Sequence, residues 1–209
     1  MDSSFVNWEH AAKSALRMLD GRNEQAKDQN RVRQALQQVA IVAGASLFVA
    51  LCARITLPLP FTPVPLTLQN FGVLAVGMAL GSRRGFAALI LYLAEGFLGT
   101  PVFNPLGPGG VAQLLGPTGG FLLAYPFVAA VAGWLLERGK PTFARAAMAG
   151  LLAEILLFAA GLSWLFILTH SLSQALRWGL YSFIFAEVIK LMLAASLVSR
   201  LRRGQKARS

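Results

Sequence analysis

The chain has 209 residues, 56% of them hydrophobic and 13% charged, with a formal net charge of +10. Soluble domains are about half apolar and about a quarter charged, so this charge deficit, with most charges lying between apolar stretches, excludes an ordinary globule and indicates a membrane protein. The positive balance does not indicate nucleic acid, because Lys and Arg gather at the ends of apolar segments, as at Arg83-Arg84 and from Arg200 to Arg208, rather than in an aromatic-interleaved stripe.

Residues 1–34 form a polar, amphipathic extension. Phe5, Trp8, Ala12, Ala15, Leu16 and Leu19 share one helical face there, with Ser3 or Ser4 as a start and Asp20-Gly21 as an end. A first apolar segment follows over 36–53. It holds the single Cys52, which has no partner for an internal disulfide, and a small-xxx-small pair, Ala40 and Gly44. That pair suits either close internal packing or contact with a partner membrane protein.

Residues 54–66 carry four prolines and cannot be a regular helix. Further apolar segments run over 67–81 and 85–99, followed by a Gly- and Pro-rich stretch from 99 to 120. The remaining segments are 119–136, 144–169 and 176–199. The two proline- and glycine-rich connections are apolar themselves, so they are expected to fold down over the bundle, as a lid or as plain packing.

Basic residues fix an orientation. They cluster before the first segment, between the second and third, between the fourth and fifth, and after the sixth, whereas the opposite connections hold only Arg54 and Arg177. The positive-inside rule then gives an all-α protein of six transmembrane helices with both termini cytoplasmic. The domain plan is an extension over 1–34, a membrane domain over 35–200 and a basic tail over 201–209.

Within the spans lie Glu95, Glu154, Glu187 and Lys190. Each charge near the bilayer centre costs roughly 2.5–3.5 kcal/mol on insertion scales, a cost offset by pairing or by function. Glu187 and Lys190 are spaced i, i+3 and share a helix face. They form either a self-compensating ion pair or a polar patch whose carboxylate accepts ligand N–H groups while the ammonium meets a ligand oxygen. Glu95 and Glu154 read as structural. A phosphate-binding lysine loop, a Gly-x-Ser-x-Gly elbow and a His/Cys metal cluster are all missing from the sequence, so binding or transport, without metal or cofactor, is the expected class rather than catalysis.

The sequence resembles the BioY family, the biotin-binding S components of energy-coupling factor (ECF) transporters, over roughly residues 36–200. The resemblance is carried by Val64-Pro65-Leu66-Thr67-Leu68-Gln69, Gly81-Ser82-Arg83-Arg84-Gly85, Tyr92, Gly99-Thr100-Pro101-Val102-Phe103 and Gly116-Pro117-Thr118-Gly119-Gly120. The family's last helix reads Gly-Leu-x-Pro-Phe-x-x-Gly-Asp-x-x-Lys. This chain keeps Phe183 and Lys190 but has Ser182, Ala186 and Glu187 where the family has Pro, Gly and Asp.

The resemblance implies a six-helix biotin-uptake subunit in the bacterial cytoplasmic membrane, with its site near the outer face under the two loops. In that site Glu187 would accept ureido N–H groups, Lys190 would meet a ligand oxygen, and Asn104 would pair with the ureido group. Tyr92 and Phe103 would pack on the bicyclic ring, and Thr67 and Gln69 would make polar contacts. The implied partners are an ECF coupling protein and ATPase subunits, with a homo-oligomer as the other arrangement. A thiamine- or riboflavin-like vitamin is the rival ligand, and an intramembrane enzyme the rival class.

Overall fold

The apolar runs fold as helices, and several of their ends fall at glycine, as at Gly81 and Gly99, or at a capping side chain, as at Thr142 and Ser171. The structure, a computed structural model, describes residues 3–140 and 142–206, with side chains described for 24–25, 27–140 and 142–202. The chain divides into two units, Met1–Ile41 and Val42–Ser209.

Helix α1, Ser3–Arg54, runs through Asp20-Gly21, where the sequence suggested an end. One glycine costs a helix about 1 kcal/mol, too little to stop it when Arg22, Glu24, Gln25, Ala26 and Lys27 all favour continuation. The amphipathic face expected between Phe5 and Leu19 lies outside the described side chains, as do Arg203, Lys206 and Arg208 of the basic tail. In the first unit the described side chains from 24 to 41 are all exposed, with Lys27 paired to Glu24 one turn back.

In the second unit, the end of α1 buries Ala45, Ser46, Val49, Ala50, Cys52 and Ala53 at helical spacing. Two-residue strands β1, Thr56–Leu57, and β2, Leu66–Thr67, then pair antiparallel and close the proline-rich connection into a loop. Next come α2, Gln69–Leu80, and α3, Ser82–Phe97, joined at Gly81 with φ 89°. A short α4, Gly110–Leu115, interrupts the glycine-rich connection. It is followed by α5, Gly119–Glu137, and α6, Phe143–Thr169.

The last apolar segment is not the single helix that the sequence suggested. It consists of α7, Leu172–Leu176, a π-helical turn over Arg177–Tyr181, and α8, Ile184–Lys206. The parts meet at a bend of 41°. The carbonyls loosened there are taken up by side chains: Thr62 Oγ1 donates to Trp178 O at 2.8 Å and Ser182 Oγ to Arg177 O at 2.9 Å.

Helix α5 lies against α2, α3 and α6, and α8 closes the bundle against α2 and α6. The α2–α5 approach depends on small residues: a Cβ on Gly77 would fall 2.3 Å from Ala129 O. Both irregular connections pack onto the bundle, as their composition suggested. Val64 buries beside Leu165, Ala175 and Phe183, and Val102, Phe103, Asn104 and Gln113 are all buried. Exposed side chains such as Phe185 (83%) and Leu98 (80%) leave the helices coated in apolar groups, the surface of an integral membrane protein.

Three helical stretches are long and apolar enough to cross a membrane, at Lys27–Arg54, Gly119–Glu137 and Phe143–Thr169, and the bent pair ending at Arg202 makes a fourth. Helices α2 and α3 have 12 and 16 residues. At 1.5 Å per residue they reach about 18 and 24 Å, against about 30 Å of hydrocarbon.

Candidate solute-binding site

Three helices converge on one amide. Asn70 lies in the first turn of α2, Glu154 midway along α6 and Glu187 in the first turn of α8. Asn70 Nδ2 donates to Glu154 Oε1 at 2.6 Å and to Glu187 Oε2 at 2.7 Å. Glu187 Oε1 accepts from Lys190 Nζ at 2.6 Å. Asn70, Glu154, Glu187 and Lys190 are 3%, 4%, 9% and 7% exposed. Groups this deep persist only with close, charge-assisted partners, and here two carboxylates share one ammonium and one amide.

This cluster borders a cavity whose empty space, with its open mouth included, is about 540 Å³. Glu187 and Asn70 supply its polar end, and Phe121, Tyr125, Phe158 and Phe183 its aromatic walls. Val64, Pro65, Asn104 and Thr118 come from the loops. A second cavity, about 790 Å³ with its open mouth included, lies between the two loops and shares Pro65, Asn104 and Thr118 with the first. The two cavities thus meet at these three loop residues.

Of the residues singled out from sequence, Glu187, Asn104, Gln69 and Thr67 all line the first cavity. Lys190 stands one turn behind Glu187 and reaches the cavity through it. Asn104 Oδ1 accepts from Leu106 N at 3.1 Å, which fixes the local turn. Thr67 Oγ1 accepts from Gln69 N at 3.3 Å. Gln69 Nε2 donates to the Tyr92 hydroxyl at 2.6 Å, and that hydroxyl donates to Val102 O at 3.0 Å.

Tyr92 and Phe103 are not brought to the cavity. They meet edge to face, centroids 5.4 Å apart, behind Gln69. They brace the wall and fasten the glycine-rich loop to α3. Ala40 and Gly44 are both exposed, and a Cβ on Gly44 would meet nothing within 4 Å. Glu95 accepts from Ser46 Oγ at 2.6 Å and ties α3 to α1.

Sequence reasoning missed Asn70 altogether and set Glu154 apart from the site. A polar amide next to Gln69, at the head of an apolar helix, was the available signal. The aromatic walls gave none, since Phe121, Tyr125 and Phe158 look like any residues of an apolar span.

Apolar helices around a cavity with a charged end define an integral membrane protein with a polar-ended internal pocket. The family model described as the BioY family matches residues 23–207, and the chain belongs to that family. It is 35% identical to the biotin transporter BioY2 of Lactococcus lactis subsp. cremoris, covering 76% of this chain and 86% of that protein. It is likewise 35% identical to the probable biotin transporter BioY of Pyrococcus horikoshii, over 79% of this chain and 96% of the relative. Among solved structures it is similar to the S-component for biotin from an ECF-type ABC transporter, with a TM-score of 0.74 and 30% identity. That match covers 82% of this chain and 93% of the other.

Proposed function

We propose that this chain is a biotin-uptake subunit that captures biotin from the outer face of the bacterial cytoplasmic membrane and delivers it inward. The observation that carries this reading is the Glu187 carboxylate in the cavity wall, clamped by Lys190 at 2.6 Å beneath two loops that pack on the bundle. Glu187 accepts a ureido N–H, and Lys190 meets the ureido oxygen when the ligand draws it forward. Asn104, Gln69 and Thr67 contact the ligand from the loop side, with Tyr92 and Phe103 supporting that wall.

Six crossings with both termini in the cytoplasm fit the charge pattern. Helices α2 and α3 cross with the help of their flanking loops and of the neighbours that shield them. Support for this comes from the end of the bundle where Arg202 donates to Ala79 O and Ser82 bonds Glu137, beside Arg83, Arg84 and Arg138. In the energised form the chain works with an ECF coupling protein and ATPase subunits, and the exposed Ala40 and Gly44 offer a small-residue contact for a membrane partner. A homo-oligomer would use the same residues.

Equilibrium binding of labelled biotin to the purified chain, with thiamine and riboflavin alongside, tests the proposal. Micromolar or tighter binding of biotin alone is expected. Preference for another vitamin, or no saturable binding, would overturn it.

A further inference from the structure

Asn70 is in the cavity wall, is 3% exposed, and has both protons of its Nδ2 engaged by Glu154 and Glu187. With both carboxylates ionised, a flipped side chain would set Oδ1 against two groups that offer only acceptors. Oδ1 must therefore turn away from them. It is buried and has no hydrogen-bond partner, and the same holds for Glu154 Oε2 on the far side of the pair. Buried acceptors without donors are rare in native proteins, and one in a cavity wall points to a donor that arrives with the occupant.

We propose that Asn70 is a specificity-determining ligand contact whose Oδ1 accepts a ring N–H of the bound solute, as a cyclic urea supplies. This rests on the biotin reading and adds to it. Each Glu187 oxygen already accepts one bond, from Lys190 or from Asn70, and keeps a lone pair for one ureido N–H, whereas Asn70 Oδ1 has no donor at all among the described residues. A solute presenting a carbonyl or an unprotonated ring nitrogen there would face acceptor against acceptor and be rejected. Glu154, which is off the wall, is a positioning residue: it holds the Asn70 amide by its Nδ2 and so leaves Oδ1 free for a donor.

The test uses the purified full chain and three ligands: biotin and its two mono-N-methylated ureido isomers, each lacking one N–H. Wild type should bind biotin at least tenfold more tightly than one of the isomers. Asn70→Ala should lose at least tenfold for biotin yet lose nothing further for that isomer, because the contact has already been removed. Where Ala does not fold, Asn70→Ser repeats the cycle with a shorter side chain whose one hydroxyl proton can serve one of the two carboxylates.

Equal binding of all three ligands by wild type would overturn the inference while leaving the biotin reading intact, whereas absent biotin binding would sink that reading itself. A uniform loss across all three ligands in the variants would make Asn70 merely structural. For Glu154, the Gln variant should keep biotin affinity within threefold, since its amide oxygen still accepts from Asn70. Glu154→Leu should lose the same isomer discrimination that Asn70→Ala loses. Retained discrimination in Glu154→Leu would remove Glu154 from the proposal.

Discussion

Lys190 has two roles that one substitution cannot separate. Its ammonium neutralises Glu187 in a cluster that also holds Glu154, all under 10% exposed, and it is the proposed partner of a ligand oxygen. Lys190→Ala leaves two buried carboxylates on one amide, and breaking a buried pair from one side costs about 3–5 kcal/mol. Biotin affinity should also fall at least tenfold, about 1.4 kcal/mol. The double variant Glu187→Gln/Lys190→Met removes both charges while roughly keeping their volume. It should regain most of the lost thermal stability in detergent yet still bind biotin at least tenfold more weakly than wild type. Recovery of binding with stability would show that the pair serves folding alone. The i, i+3 spacing made Glu187 and Lys190 legible in the sequence. Asn70 was not, because its role exists only where α2, α6 and α8 meet, and no spacing along one helix encodes that meeting. Tyr92 and Phe103 were legible in the sequence as aromatics beside a loop, a setting that suits ring packing and loop bracing equally, and in the structure the Tyr92 hydroxyl bonds Gln69 and Val102 O.

At the scale of elements, small residues decide which helices touch. A Cβ on Gly133 of α5 would lie 2.5 Å from Gly81 C and Ser82 N, both backbone atoms at the α2–α3 junction. That junction is further fixed by Glu137, whose Oε1 accepts from Ser82 N and whose Oε2 accepts from Ser82 Oγ, each at 2.9 Å. Gly133→Val must push the helices apart, and overpacking of this kind costs about 1–3 kcal/mol or more. Gly44→Val meets open space and should stay within about 0.5 kcal/mol. Thermal unfolding of the two variants in the same detergent checks the contrast, and equal stability would contradict the packing described here. The positions of α2, α3, α5 and α6 followed from hydropathy within a few residues. The break before α8 did not: residues 176–199 are apolar throughout, and the π-helical turn is held by a hydroxyl from Thr62, more than a hundred positions away. Helix α4 escaped notice for a related reason, since six residues among glycines and prolines carry no periodicity to detect.

The unit Val42–Ser209 is asymmetric along its bundle. Arg83, Arg84, Arg138, Lys140 and Arg202 lie with the α2–α3 and α5–α6 connections, while the other end carries the two apolar loops and the cavity beneath them. Charge in the connections was readable at once, because the membrane sorts basic residues by side. The number of full crossings was not, because α2 and α3 are shorter than the hydrocarbon is thick and rely on neighbours for cover. Orientation is therefore the quantity to measure. The single Cys52 is buried, so a Cys52→Ala background accepts one new cysteine at a time. Pro108 and Gly139 are both exposed and stand in opposite connections. If the cavity opens outward, Pro108→Cys should react with a membrane-impermeant maleimide in intact cells, and Gly139→Cys only after the cells are permeabilised. The reverse pattern would place the cavity mouth in the cytoplasm, and capture from outside would then be impossible through this opening. Labelling of both sites in intact cells would contradict a fixed orientation, since only one arrangement leaves most of the basic residues, all but Arg54 and Arg177 among those in the connections, on the cytoplasmic side.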